Sequence, residues 1–267
     1  MKVDRTNDSR PAGRPLRLWA LALLALQPSL GSAQADNVKT IEQIKPSIVA
    51  VGTFERLRNP EFRFLGTGFA VGDGSLIATN EHVVPATIDS ERNEKLAVAV
   101  RLSGNAIQVR GARKVASEPS ADVALLKIDG PPLSPLRIGN SDRVREGEIY
   151  LFTGFPIGTV LGLYPATNRA MISAITPIVI PAAHADQLNS RSIRRLASGA
   201  YPVFQLDGTA YPGNSGSPLY DMQSGEVIGI VNMVFVKGTK ESALTNPSGI
   251  SYAIPAENLK VLLDRAR

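Results

Sequence analysis

The sequence contains no cysteine, only two histidines and a single tryptophan among its 267 residues. Without cysteine the chain forms no disulfide, so its fold must be stabilised by the core alone. Two isolated histidines and no cysteine also leave too few ligands for the usual transition-metal sites, and no EF-hand or nucleotide-binding pattern is present. We therefore expect a protein that needs no metal and no cofactor.

A long apolar run is also missing, although a short one lies near the N-terminus. Residues 18–26 form an apolar stretch of about nine residues, whereas a bilayer requires about 20. A basic leader precedes this stretch, and the small residues of Ala33-Gln34-Ala35 follow it, as in secretory signal peptides. Residues 1–35 are therefore predicted to be a signal peptide, cleaved after Ala35 or, failing that, after Ala33. We expect an exported protein with no stable membrane anchor once the signal peptide is removed.

The charge of the chain gives no support for a nucleic-acid partner. The formal net charge is +5, and much of it lies in the leader. The charged residues of the leader are Lys2, Arg5, Arg10, Arg14 and Arg17, against Asp4 and Asp8. Removal of the leader lowers the net charge to about +2, which does not indicate a basic nucleic-acid-binding surface.

Short strand-like segments recur between turn signals and predict an all-β protein. The first series comprises residues 47–54, 66–72, 75–79, 96–102, 107–115 and 122–128. The second series comprises residues 148–154, 170–175, 203–206, 217–220, 226–236 and 249–254. Many short strands at turn-separated intervals are typical of β-barrels.

A proline-rich connection separates the two series of strands. Residues 130–136 read Gly-Pro-Pro-Leu-Ser-Pro-Leu, and prolines oppose strand pairing. We place the domain boundary here, which predicts one barrel in residues 36–135 and another in residues 136–267. After the last strand, Pro255 and the one-sided apolar pattern of residues 256–263 predict a short C-terminal helix.

The most informative motif is the glycine-flanked serine of Gly213-Asn214-Ser215-Gly216-Ser217. Small neighbours on both sides allow the Ser215 hydroxyl to point outward while adjacent backbone N–H groups point at one spot. A nucleophile with an oxyanion hole requires this arrangement. Taken alone, the motif is equally typical of a plain turn.

A histidine and an aspartate elsewhere in the chain suit the two remaining catalytic roles. His82 follows a strand-like segment in Thr-Asn-Glu-His-Val-Val, and Asp122 opens the run Asp-Val-Ala-Leu-Leu-Lys. Asp122 could otherwise be an edge or capping aspartate. The second histidine, His184, lies in loop-like sequence with no partner pattern, and we expect it at the surface.

With these residues in place, the chain resembles the chymotrypsin-like serine proteases, and among them the bacterial high-temperature-requirement (HtrA) branch. The matching motifs occur in the order of that family and cover nearly all of the chain beyond residue 40: residues 66–71, 79–84, 122–127, 154–156, 212–219 and 249–255. The resemblance implies two six-stranded antiparallel β-barrels with the active site in the cleft between them. Together with the export signal and the missing cysteines, it favours a bacterial periplasmic or secreted enzyme.

The resemblance also implies a role for each candidate residue. Ser215 would attack the scissile carbonyl, His82 would act as general base and acid, and Asp122 would orient His82. The N–H groups of Gly213 and Ser215 would form the oxyanion hole. The order His, Asp, Ser along the chain fits this architecture and not the other serine hydrolases.

Three departures from the family pattern stand out. HtrA proteases usually continue into a PDZ domain, whereas this sequence stops at Arg267, so we expect no second module for substrate capture. Ser217 occupies the place of a usual glycine, and we expect the small hydroxyl to be tolerated. Asn214 stands where digestive proteases carry an aspartate that pairs with a new N-terminus, so activation by cleavage is not expected.

The specificity pocket is assigned only by analogy. Thr209 and Ala210 would line its base, and Asn232, Met233 and Val234 would form one wall. No acidic residue is available at the base to bind Lys or Arg, so we expect a small or medium apolar side chain before the cut.

The segment 181–202 is longer than the corresponding loop of the family and carries Arg191, Arg194 and Arg195. It is either a solvated insertion or a regulatory or oligomerisation loop near the active site. The oligomeric state stays open.

Two functions therefore remain. The favoured one is a serine endopeptidase that acts on exposed or unfolded polypeptides. The alternative is a dormant or non-catalytic binding or sensing protein that uses the protease fold.

Overall fold

Twelve antiparallel strands form two closed barrels in the computed structural model, which describes residues 30–102, 106–158, 162–177, 202–232 and 249–266. The predicted all-β class with two six-stranded barrels is confirmed. A strand is present at each predicted place, although the second begins at Phe62 rather than Gly66 and the eighth covers Ala166–Pro177 rather than only 170–175. The eleventh is described as Val227–Asn232, and residues 233–236 of its predicted range lie outside the described residues.

The first barrel is built from the strands that precede the proline-rich connection. These are β1 (Ile48–Phe54), β2 (Phe62–Val71), β3 (Leu76–Thr79), β4 (Lys95–Arg101), β5 (Ile107–Glu118) and β6 (Val123–Ile128). They pair in the order β1-β2-β3-β6-β5-β4, and the pairing of β1 with β4 closes the barrel. Its interior is filled by β-branched and leucine side chains such as Val51, Ile77 and Leu126, each 0% exposed.

The second barrel repeats this architecture with later strands. These are β7 (Ile149–Gly154), β8 (Ala166–Pro177), β9 (Pro202–Asp207), β10 (Pro218–Tyr220), β11 (Val227–Asn232) and β12 (Ile250–Pro255). They pair in the order β10-β11-β12-β9-β8-β7, and the pairing of β10 with β7 closes the barrel. Phe152, Ile172 and Val231 fill its interior.

A third apolar cluster joins the two barrels. It contains Ile48 and Phe69 from the first barrel and Tyr220 and Ile230 from the second, all of them buried. Because the cluster draws side chains from both barrels, it holds them against each other and defines the cleft between them.

Two helices lie at the ends of the described chain. The predicted C-terminal helix is present as α2 (Glu257–Arg265), which buries Leu259, Leu262 and Leu263. The other helix, α1 (Leu30–Ile44), was not predicted, and its backbone spans the expected cleavage position at Ala35. Among the described residues, no helix combines the length and apolarity that crossing a membrane requires. Most of the predicted signal peptide, residues 1–29, lies outside the described residues, as does the predicted insertion apart from Pro202.

Candidate active site

The pairing of strands β3 and β6 brings His82 and Asp122 together. Thr79, the last residue of β3, pairs with Ala124 near the start of β6, so the residues that follow β3 lie beside those that precede β6. His82 lies in the short 3-10 helix Glu81–Val83. Its ring Nδ1 is 2.7 Å from Asp122 Oδ2, and its backbone N–H donates to Asp122 Oδ1 at 2.9 Å. The carboxylate of Asp122 therefore holds both the backbone and the ring of His82.

Asp122 itself is held in an unusual backbone conformation. Its φ angle is +56°, in the left-handed region that few residues other than glycine, asparagine and aspartate adopt. Its carbonyl accepts hydrogen bonds from Asn80 Nδ2 and from the backbone N–H of Glu81, both at 3.1 Å. Because the Asp122 side chain is also 0% exposed, these contacts restrict the residue to a single orientation.

A residue of the second barrel completes the surroundings of this carboxylate. Asn232, the last residue of β11, is 0% exposed and donates through Nδ2 to Asp122 Oδ2 at 2.7 Å. The side chain of Asn232, which the sequence also predicts in a wall of the specificity pocket, thus contacts Asp122. Its place in the pocket stays a prediction. The sequence carried one signal for this contact, namely a polar residue at the end of the otherwise apolar strand Val227–Asn232.

The loop that carries Ser215 depends on two glycines. Gly213 and Gly216 have φ angles of +103° and +89°, and both approach other backbone closely. A Cβ at Gly216 would lie 1.9 Å from the Thr67 carbonyl oxygen, and one at Gly213 would lie 2.3 Å from that of Phe155. No side chain fits at either position, so the glycines around Ser215 are required by the fold as well as by the motif.

Hydrogen bonds fix the directions of two carbonyl groups in this loop. Pro212 O accepts from the N–H of Ile157 at 2.8 Å, and Asn214 O accepts from the N–H of Ser217 at 3.0 Å. In a planar trans peptide the N–H points opposite to the carbonyl. The N–H groups of Gly213 and Ser215 therefore point away from these contacts, as donors of an oxyanion hole must.

A glycine of β2 separates the His82 segment from the Ser215 loop. A Cβ at Gly66 would lie 2.7 Å from a methyl group of Val83 and 3.0 Å from the Ser215 carbonyl oxygen. The residue next to His82 and the backbone of Ser215 thus pack against the same Gly66. Ser215 is 6% exposed and the His82 side chain is 17% exposed, so neither lies on an open surface.

The two residues near Ser215 that depart from the family pattern are both buried. Asn214 and Ser217 are both 0% exposed, and among the described residues neither side chain has a hydrogen-bond partner. A Cβ at Gly154 would lie 2.0 Å from Ser217 Oγ and 2.9 Å from Asn214 Oδ1. Gly154 therefore leaves the space that the unusual hydroxyl of Ser217 occupies.

The remaining residues of the expected specificity pocket are only partly described. Ala210 is buried, and Thr209 beside it is partly exposed. Their loop is tied to β12 by Ser251 Oγ, which donates to Gly208 O at 2.7 Å. Met233, Val234 and His184 lie outside the described residues. Over the described part of the chain, no cluster of three or more His, Cys, Asp or Glu side chains could hold a metal ion.

Two barrels that place a histidine, paired with a buried aspartate, beside a glycine-flanked serine loop define a trypsin-like peptidase. The family model for the trypsin-like peptidase domain matches residues 66–230, and the chain belongs to this family.

Within the family, the chain is similar to periplasmic serine endoproteases of the DegP-like type. The protein so named in Ectopseudomonas mendocina (strain ymp) is 32% identical over 279 residues, covering 90% of this chain and 50% of the relative. The one in Halomonas elongata is 27% identical, covering 95% of this chain and 55% of the relative. The chain thus spans about half the length of these curated relatives.

Solved structures of the HtrA type have the same fold. The HtrA-type protease AlgW with tripeptide has a TM-score of 0.59 and 26% identity, with 85% of this chain and 61% of that chain covered. The crystal structure of Deg5 has a TM-score of 0.61, covers 87% of this chain and 94% of that chain, and at 23% identity shows a shared fold alone.

Proposed function

We propose that this chain is a serine endopeptidase that hydrolyses peptide bonds through His82, Asp122 and Ser215. The observation that carries the proposal is the 2.7 Å contact between His82 Nδ1 and the buried Asp122 carboxylate, beside the Ser215 loop that packs against the same Gly66 as Val83. Since Nδ1 is engaged by the carboxylate, the other ring nitrogen of His82 is left to exchange a proton with substrate and nucleophile. The names of the DegP-like relatives support the same activity.

In the proposed reaction, Ser215 Oγ attacks the scissile carbonyl carbon while His82 takes the hydroxyl proton. The tetrahedral oxyanion is bound by the N–H groups of Gly213 and Ser215, each worth roughly 3 kcal/mol at comparable sites. Collapse of the intermediate breaks the C–N bond, and His82 gives its proton to the leaving amine. A water molecule then attacks the acyl carbon while His82 takes one of its protons. The ester bond to Ser215 Oγ breaks, and His82 returns that proton to Ser215.

The substrates we propose are exposed or unfolded polypeptides, cut after a small or medium apolar residue. Thr209 and Ala210 would line the base of the pocket, with Asn232, Met233 and Val234 as its wall. One solved relative holds a tripeptide, which supports recognition of extended peptide. We also propose that residues 1–35 direct export and that the enzyme acts in the periplasm, as the names of its relatives suggest for them.

The proposal is tested by labelling residues 36–267 with a fluorophosphonate probe, which reacts only with an activated serine. We expect one adduct, mapped by peptide mass analysis to Ser215, and cleavage of fluorescently labelled casein. The Ser215→Ala variant would lose both. A folded wild-type protein that takes up no probe would favour the alternative, a dormant or non-catalytic binding or sensing protein.

A further inference from the structure

A single threonine of the first barrel holds the loop that carries Ser215. Thr67 lies on β2 and is 0% exposed. Its hydroxyl donates to Gly213 O at 2.7 Å and accepts from the N–H of Phe155 at 3.1 Å. Its backbone N–H donates to Ser215 O at 2.8 Å. Thr67 thus bonds the carbonyl groups of Gly213 and Ser215, which flank Asn214, and also the backbone N–H of Phe155.

These contacts determine how the peptide planes around Ser215 are oriented. Because a peptide unit is planar, holding Gly213 O also directs the N–H of Asn214, which donates to Tyr211 O at 2.9 Å. Holding Ser215 O likewise directs the N–H of Gly216, which donates to Val231 O at 3.0 Å. The peptide units before Asn214 and after Ser215 are therefore each held on two sides, and the turn between them has little freedom to rotate.

Threonine is suited to this position by its chemistry. A hydroxyl both donates and accepts, which the contacts with Gly213 O and the Phe155 N–H require. Branching at Cβ restricts the side-chain rotamer, so the hydroxyl stays aimed at the loop. The Thr67 carbonyl in turn accepts from Thr79 Oγ1 at 2.7 Å, and Thr79 ends the strand that leads to His82. The same pair of strands therefore positions both the general base and the nucleophile loop.

We propose that Thr67 is a positioning residue for the reaction, through which the first barrel sets the placement of Ser215 and of the oxyanion-hole amides. The inference rests on the proposed function and adds to it a residue that touches neither substrate nor reacting atoms. It predicts that loss of the Thr67 hydroxyl slows the chemical step and leaves substrate binding largely intact.

The test compares Thr67→Val, which keeps the shape and removes the hydroxyl, with Thr67→Ser, which keeps the hydroxyl. The readout is fluorophosphonate labelling of Ser215 as a function of probe concentration, which separates the maximal labelling rate from the probe concentration at half-maximal rate. We expect Thr67→Val to lower the maximal rate on the order of 100-fold, the cost of a displacement of about 1 Å in a reacting group. Thr67→Ser should recover most of this rate.

Thr53→Val is the matched control. Thr53 is also a buried threonine of the first barrel, 0% exposed, but its hydroxyl donates to Glu94. We expect it to lower the melting temperature without changing the labelling rate. Amide hydrogen exchange of the peptide covering residues 211–217 should rise in Thr67→Val and not in Thr53→Val. If Thr67→Val does not fold, Thr67→Ala takes its place, since it also removes the hydroxyl without placing a methyl group against the Gly213 carbonyl. The same loss of maximal rate is then expected, and a folded Thr67→Ala that labels at the wild-type rate would overturn the inference.

The outcomes separate the two proposals. Wild-type labelling with an unchanged rate in folded Thr67→Val would overturn the role of Thr67 and leave the proposed function standing. Equal losses of rate in Thr67→Val and Thr53→Val would reduce Thr67 to a residue of general stability and also overturn the inference. A wild-type protein without labelling would overturn the proposed function and, with it, this inference.

Discussion

The carboxylate of Asp122 accepts hydrogen bonds from three N–H groups, one from the His82 backbone, one from the His82 ring and one from Asn232. A carboxylate that is 0% exposed needs such partners, because burying an unpaired charge costs several kcal/mol. Two of these donors come from the residue that Asp122 orients, and the third comes from the other barrel. The aspartate is thus fixed from both sides of the cleft.

This arrangement predicts a catalytic effect for Asn232. Replacing Asn232 by Leu removes one donor, which is worth about 1.5–3 kcal/mol when the partner is charged. If Asp122 then orients His82 less well, kcat should fall roughly 10- to 100-fold. Because the Asn232 side chain contacts the Asp122 carboxylate, we expect KM to stay within about twofold. Steady-state kinetics on fluorescently labelled casein would measure both constants.

Asn140→Leu is a suitable control for this change. The Asn140 side chain accepts from the N–H of Asp142 at an exposed 3-10 helix and lies outside the site. Its kcat should equal that of the wild type. A rise in KM at constant kcat for Asn232→Leu would return Asn232 to the wall of the specificity pocket and refute the role proposed here.

The close contacts around Gly154 lead to a second prediction. Gly154→Ala would place a Cβ 2.0 Å from Ser217 Oγ, and two further polar atoms lie at 2.9 Å. We expect a loss of about 1–3 kcal/mol in unfolding free energy, as is usual for overpacking in a core. Adding Ser217→Gly removes the closest atom and should recover part of the loss. Urea denaturation of the wild type, Gly154→Ala, Ser217→Gly and the double variant gives the coupling free energy between the two positions. Strictly additive effects would show that Ser217 and Gly154 do not compete for this space.

The residues of the site differ in how far they could be predicted from the sequence. His82, Asp122 and Ser215 each occur in a local motif, because each needs particular neighbours on the chain. Thr67 and Asn232 contact partners 146 and 110 residues away. The motif around Thr67 and the apolar strand that ends at Asn232 therefore do not reveal which groups these side chains meet. Their roles follow only from the closure of the two barrels, which brings the first barrel against the serine loop.

At the level of elements, strand-like segments between turn signals predicted the strands that the structure describes, but helix α1 (Leu30–Ile44) was missed. Its apolar positions Val38, Ile41 and Ile44 have helical spacing, yet Val38 is 54% exposed and only the last two pack against the core. A helix with so narrow an apolar face has a weak sequence signal. Residues 30–35 of the helix also belong to the predicted signal peptide, which the sequence does not place in the fold.

The connection between β1 and β2 is held by a partly buried ion pair that the sequence did not reveal. Glu94 has a side chain that is 8% exposed and is 2.8 Å from Arg58 Nη1. Arg58 also donates through Nη2 to the Thr53 and Glu61 carbonyls, at 2.7 Å and 3.0 Å. Hydrogen bonds from Thr53 and Arg58 lower the pKa of Glu94 to about 2. Glu94 thus links the loop to the barrel.

This pKa predicts a loss of stability in acid. Since the folded pKa lies below the ordinary value of 4.5, the ionised Glu94 stabilises the fold above pH 4.5, and this contribution is lost as the pH falls towards 2. Glu94→Gln, which cannot pair with Arg58 as a charge, should be less stable than wild type at pH 6. The difference between the two should shrink steadily below pH 4.5 in urea denaturation. A difference that stays constant down to pH 2.5 would mean that ionisation of Glu94 does not stabilise the loop.

On the scale of the whole molecule, the candidate site belongs to neither barrel alone. His82 and Asp122 come from the first barrel, whereas Ser215 and Asn232 come from the second. The barrels meet through the hydrogen bonds of Thr67 with the serine loop and through the cluster that contains Phe69 and Tyr220. A protein of this design places its chemistry where the two cores join, so the geometry of the site depends on the docking of the barrels.

The shared core predicts that the two barrels unfold together. Because apolar side chains of both barrels pack into one cluster, separating the barrels would expose this surface without freeing either chain segment to gain much entropy. We expect one cooperative thermal transition for residues 36–267, with labelling of Ser215 lost at the temperature at which the strands melt. The only tryptophan, Trp19, lies in the predicted signal peptide, so circular dichroism and calorimetry are the appropriate probes. Two separate transitions, or labelling lost well before the strands melt, would show that the barrels are independent units and that their docking is the weakest part of the molecule.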